Sequence, residues 1–219
     1  MLFTEFLEKQ GRIYAEFRDT SKIEKEGLIP QISENKGGYI IALRHSDNIV
    51  AGIERFNKQI NRITSQIKYE DNNIHTTLAT YQVEEGFCPI NDTLDILIKI
   101  VGDNISLMKK IEIEYSQWLI DQYSGIAAGI PDLAFFENAQ RIIDYAQGYG
   151  IQLKFPWGAH ITVSRFLEKL PHKKILELLD IFKNSEPLGI STPKYLDVGY
   201  FKLTPERFEI NVMERFKIA

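Results

Sequence analysis

The sequence predicts an α+β fold built as an internal duplication, and three observations predict it. Strand-like and helix-like segments alternate along the chain. Their order repeats, with strand, helix, strand, helix, strand in each half. The second strand of each half carries the same His-x-Thr pattern, His75-Thr76-Thr77 and His160-Ile161-Thr162. The halves match in order rather than in residue identity.

Residues 4–18 read as an amphipathic helix. The charged, turn-rich stretch KIEKEGLIPQISENKGG follows, with little to bury, and is expected to wrap the surface. Residues 1–37 are therefore assigned to an N-terminal helical extension and linker. YIIALRH is a short strand of β-formers. In IVAGIERFNKQINRITSQI, Ile49, Ile53, Phe56, Ile60 and Ile63 recur at three- and four-residue spacing, an amphipathic helix. NIHTTLATY is a strand, NDTLDILIKIVGDN a helix capped by Asn91 or Asp92, and IEIEYSQWLID a strand. SGIAAGI opens the second half, and Asp132 is placed to cap the helix LAFFENAQRIIDYAQGYG. GAHITVSRF is the matching strand, and LPHKKILELLDIFKN a helix with Pro171 at a permitted first-turn position. KYLDVGYFKL and RFEINVMERF close the chain as two strands joined by the turn Thr204-Pro205-Glu206.

The chain has 219 residues, 44% hydrophobic and 26% charged, which suits a folded core. The single cysteine, Cys88, excludes an intrachain disulfide and fits a reducing compartment. The first residues lack the pattern of a secretory signal, and no apolar run is long enough to span a bilayer. A cytoplasmic, membrane-free protein is expected, with a monomer favoured. The net charge is −4, and Lys and Arg are scattered among Glu and Asp. Without a basic stripe a long nucleic-acid duplex is a poor partner, and a small nucleotide or a chain end a better one.

Strand alternation sets His160 and Thr162 on one face and Ile161 and Val163 on the other. In the first half His75 and Thr77 share a face, opposite Thr76 and Leu78. The apolar faces suit packing against helices. If the halves are related by an approximate two-fold axis, two imidazoles and two hydroxyls converge on one cleft. Such a pair offers one general base and one general acid, each contributing about 10²–10⁴ in rate. The threonine hydroxyls can donate to an anionic oxygen.

HTTL (75–78) and HITV (160–163) resemble the paired H-x-[T/S]-hydrophobic motifs of the 2H phosphoesterase superfamily, which includes 2′-5′ RNA ligase-like proteins and cyclic nucleotide phosphodiesterases. The resemblance covers residues 38–216. It implies two lobes, about 38–122 and 123–219 with strand exchange between them allowed. Each lobe would be an antiparallel sheet with helices on its outer face, and a cleft would lie between the sheets. It implies metal-independent, cofactor-free hydrolysis of a 2′,3′-cyclic phosphate or a short oligonucleotide phosphodiester, with His75 and His160 catalytic and Thr77 and Thr162 on the phosphate. The alternatives are 2′-5′ phosphodiester cleavage or RNA-end ligation and, from another class, a nucleotide sensor without turnover.

The resemblance adds Arg165, as an Arg often follows the second motif. Strict alternation aims Arg165 away from His160 unless the strand ends or bulges, and gives Ser164 the correct parity instead. Tyr81 shares the parity of His75 and is a candidate for lining the cleft or stacking a base. Trp157 is a candidate for the cleft wall. His45 is read as a surface-loop histidine and His172 as a solvated helix start. No spacing of His, Cys, Asp or Glu suggests a metal site.

Overall fold

The computed structural model describes residues 1–31, 35–69 and 73–218, with the side chain of Lys68 left aside. The chain forms α1 (Phe3–Arg18), α2 (Ser21–Glu26), β1 (Lys36–Arg44), α3 (Asp47–Ile60), β2 (Gln66–Lys68), β3 (His75–Glu85) and α4 (Asn91–Asn104). These are followed by β4 (Ile113–Ile120), β5 (Ser124–Pro131), α5 (Leu133–Gln147), β6 (His160–Phe166), α6 (His172–Asn184), β7 (Gly189–Ser191), β8 (Tyr195–Leu203) and β9 (Phe208–Lys217). The strands make two antiparallel sheets, in the orders β3-β1-β8-β9 and β2-β6-β5-β4-β7. Each sheet takes strands from both halves of the chain: β8 and β9 complete the first, and β2 and β4 join the second. The two motif strands, β3 and β6, lie against each other across the junction.

The apolar stripe read in α3 is buried, with Ile49, Ile53, Phe56 and Ile60 at or near zero exposure. It packs with α6 behind the second sheet. The Phe56 ring stacks on Trp118 of β4 at 3.7 Å and meets Phe182 of α6 edge-on at 5.0 Å. Gly125 of β5 lies so close under Phe182 that any side chain there would collide with the ring. Helix α4 backs β8 and β9, and α5 lies over β3 and β5. Asp132 caps α5, accepting from the Phe135 N–H at 3.0 Å, as its position suggested.

Three local expectations need correction. Ile90, rather than Asn91 or Asp92, takes the N-cap geometry of α4, because its N–H donates to the buried Tyr39 hydroxyl at 2.7 Å. Pro171 sits at the N-cap of α6, one position before the first turn. The linker does bury groups: it forms α2, and Ile23 and Leu28 enter the core. It also hydrogen-bonds to the sheet ends, with the N–H groups of Ile29 and Gln31 donating to the carbonyls of Gln122 and Phe166. Residues 32–34 of that linker lie outside the described residues. Among the described residues, no helix is long and apolar enough to cross a membrane.

Candidate active site

A cleft of about 290 Å³ opens where β3 and β6 meet. Its wall includes His75, Thr77, His160, Thr162, Arg165 and Trp157, six of the residues singled out in the sequence. The His-x-Thr pairs come together as alternation demands, and Ile161 and Val163 are fully buried beneath them.

Both motif strands then break alternation at the same step. In β3, Thr77 pairs with Ala42 and Ala79 with Ile41, so Leu78 is an extra residue. In β6, Thr162 pairs with Ile126 and Ser164 with Gly125, so Val163 is extra. Each is a β-bulge three residues after the histidine, and each reverses the parity beyond it. The bulge turns Arg165 into the cleft, where its Nε donates to the Tyr69 hydroxyl at 3.0 Å. It turns Ser164 inward, fully buried, with a hydroxyl that finds no hydrogen-bond partner among the described residues. The bulge in β3 likewise removes Tyr81 from the cleft and stacks it on Tyr39 at 5.9 Å, behind the sheet. Thr80, five residues after His75 as Arg165 is five after His160, faces the cleft in its place.

The two imidazoles are held alike. His75 Nδ1 lies 2.7 Å from the Asn73 carbonyl, and His160 Nδ1 lies 3.1 Å from the Gly158 carbonyl. A carbonyl only accepts, so each Nδ1 carries the proton and each Nε2 is the lone-pair nitrogen. Each ring also lies on an aromatic face, His75 on Phe208 at 5.6 Å and His160 on Trp157 at 3.8 Å. Burial lowers the pKa of His75 to about 4, partly offset by its hydrogen bond to Asn73, with Arg44 lowering it and Asp197 raising it. Burial, partly offset by the hydrogen bond to Gly158 and joined by positive charge on His75 and Arg165, lowers His160 to about 3. Two protons in this cleft repel, so a pair sharing one proton is favoured over a doubly charged one.

Beneath the cleft a buried polar cluster ties the motif strands together. The Thr76 hydroxyl donates to the His160 carbonyl at 3.1 Å. It also lies 2.5 Å from the Tyr115 hydroxyl and 3.1 Å from His45 Nε2, while His45 Nδ1 lies 2.7 Å from the Ser191 hydroxyl. One proton arrangement satisfies every group: Ser191 donates to Nδ1 of His45, His45 Nε2–H and the Tyr115 hydroxyl donate to Thr76, and Thr76 donates to His160. Burial lowers the His45 pKa to about 3 and raises that of Tyr115 well above its ordinary value. His45 is thus a half-buried strut with both ring nitrogens engaged, not the surface-loop residue that its position after a strand suggested, and Thr76 does more than pack.

Lys154, like Tyr69, Thr80 and Phe208, is a site residue that the sequence did not signal. It lies outside both motifs, in the segment before β6. There it exchanges backbone hydrogen bonds with Thr80 of β3, 2.7 and 3.1 Å, and joins the cleft wall. Among the described residues, no group of three His, Cys, Asp or Glu side chains is arranged to hold a metal.

No protein-family model matches the chain. No curated protein matches it. Solved structures do. TT0787 of Thermus thermophilus aligns with a TM-score of 0.58 at 13% identity, over 83% of this chain and 97% of that one. Escherichia coli LigT complexed with 3′-AMP aligns at 0.53 and 14%, over 85% of this chain and 99% of LigT. The LigT complex with NADP+ gives 0.52 and 12%, over 84% and 99%. The chain thus shares the fold of LigT and TT0787, with two antiparallel sheets and helices, the α+β architecture that the resemblance to the 2H phosphoesterases implied.

Proposed function

We propose that the protein is a phosphodiesterase acting on a small nucleotide, a 2′,3′-cyclic phosphate or a short oligonucleotide end, by two-histidine acid–base catalysis without a metal. The observation that carries this is the matched pair of imidazoles on one cleft, each with Nδ1 tied to a backbone carbonyl and Nε2 unprotonated. Nε2 of one ring takes a proton from water or a ribose hydroxyl, and the other ring, protonated, gives one to the leaving oxygen. His160 is the base and His75 the acid in this scheme, because His75, at about 4, holds a proton more readily than His160, at about 3. Thr77 and Thr162 donate to the non-bridging oxygens, and Arg165 and Lys154 supply positive charge as negative charge builds on the phosphate. That LigT has been solved with 3′-AMP, NADP+ and ATP supports a nucleotide as the ligand class.

The test is a panel of 2′,3′-cyclic nucleotides, 2′-5′ dinucleotides and 3′-5′ dinucleotides, each incubated with and without chelator. Cleavage of the cyclic phosphate that survives chelator is expected. Cleavage confined to the 2′-5′ linkage would move the substrate class. Tight nucleotide binding with no product on any member would point to a sensor.

A further inference from the structure

Helix α1 lies on the cleft side of the second sheet, where its last turns meet the segment leading into β6. Tyr14 packs with Leu119, Ile126 and Ala128, and Phe17 and Trp157 close the same small cluster. Ile126 and Ala128 are the register partners of Thr162 and His160. The last turns of the helix therefore share a face with the histidine pair, while Phe3 and Phe6 in its first turns pack on Phe135 and Phe136 of α5.

The hydrogen bonds are more specific than the packing. The β5–β6 ladder stops at Ala128 paired with His160, and one step further Gly129 and Ala159 make contacts with α1 instead. Gln10 accepts from the Ala159 N–H at 2.7 Å through Oε1 and donates to the Gly129 carbonyl at 3.2 Å through Nε2. The Tyr14 hydroxyl lies 3.1 Å from the Ala159 carbonyl, 3.2 Å from the Gly129 carbonyl and 3.2 Å from the Gly129 N–H. Both side chains are almost fully buried. A side chain at Gly158 would press on Gln10 at 3.0 Å. Above these bonds the rings run in series: Phe17 stacks on Trp157 at 6.1 Å and 17°, Tyr14 meets Trp157 edge-on, and Trp157 stacks on His160.

We infer that α1 is a positioning element of the active site, in which Gln10 and Tyr14 fix the backbone just before His160 while Phe17 holds Trp157 flat against its ring. The segment that reads in the sequence as an appended helix is then part of the catalytic wall. Gln10, Tyr14 and Phe17 act through Ala159 and Trp157 and are not themselves catalytic. The kinetic side of the inference rests on the proposed role of His160. The structural side does not.

The test uses the full chain without substrate, following the ring protons of His160 and His75 by NMR across a pH titration, in wild type, Gln10→Ala, Tyr14→Phe and Phe17→Ala. Phe17 is only partly buried, so its variant remains informative if a Gln10 change impairs folding. Loosening the wall admits water to His160, so its pKa is expected to rise toward the ordinary value by about one unit while that of His75 stays put. Phe17→Tyr, which keeps the stacked ring, is expected to restore the wild-type titration. An unchanged His160 titration in all three variants, or equal shifts at His75, would overturn the inference. Arg12→Ala, on the exposed side of the same helix, is expected to leave His160 unaltered, and an equal shift there would also overturn it. Where a phosphodiester is turned over, kcat should fall about tenfold with little change in KM, as a displaced general base costs rate more than binding.

Discussion

His75 and His160 were legible because alternation is a short-range rule: a histidine and a threonine two apart on a strand share a face whatever lies around them. Their electrostatics were not legible, because burial is a property of the assembled lobes. In the free cleft both imidazoles are driven well below their ordinary pKa, to about 4 and about 3. A bound phosphodiester carries a negative charge, which favours the protonated ring and raises both values. The pH profile of kcat/KM reports the free enzyme and that of kcat the complex. The kcat profile is therefore expected to lie at higher pH, by about one unit or more. Superimposed profiles would show that substrate charge does not tune the pair.

Strand irregularity decides which neighbours join them. Strict alternation favours Ser164 and Tyr81, and the bulges at Val163 and Leu78 replace them with Arg165 and Thr80. A bulge leaves no compositional mark in HITVSRF or HTTLATY, since Val and Leu suit a regular strand equally well. The bulge recurs three residues after each histidine, a regularity visible only once the strands are paired. A pair of substitutions separates the two geometries. Arg165→Ala is expected to raise KM about ten- to a hundredfold, the loss of a charged hydrogen bond worth about 1.5–3 kcal/mol. Ser164→Ala should leave turnover unchanged and stabilise the fold by about 1 kcal/mol, because it removes a buried hydroxyl without a partner among the described residues. Kinetics and thermal melts of the two variants check this, and the opposite pattern would restore the regular strand.

Over the whole molecule, most of the element order was readable, apart from the short α2, β2 and β7, and strand exchange was allowed for without saying which strands cross. Helices and strands follow from local periodicity, but the pairing of β4 with β5 and of β8 with β1 is set by which apolar faces close the core. The same closure buries His75 and half-buries His45 and His160, and desolvation holds all three neutral, with pKa values of about 4, 3 and 3 against 6.5 for a free imidazole. Between those limits the unfolded chain binds protons that the fold does not, so stability falls as pH drops below 6.5. From pH 7.5 to 5.5 each histidine is expected to cost on the order of 1 kcal/mol, visible as a lower urea midpoint. A midpoint that stays constant or rises would contradict that burial. The central claim, that His75 and His160 act as one pair on a single phosphodiester, is tested most directly by kcat for His75→Ala, His160→Ala and the double variant on a 2′,3′-cyclic nucleotide. Members of one acid–base unit are non-additive, so each single change is expected to lower kcat by about 10²–10⁴ and the double change to cost little more. Near-wild-type turnover in either single variant, or losses that multiply in the double, would contradict it.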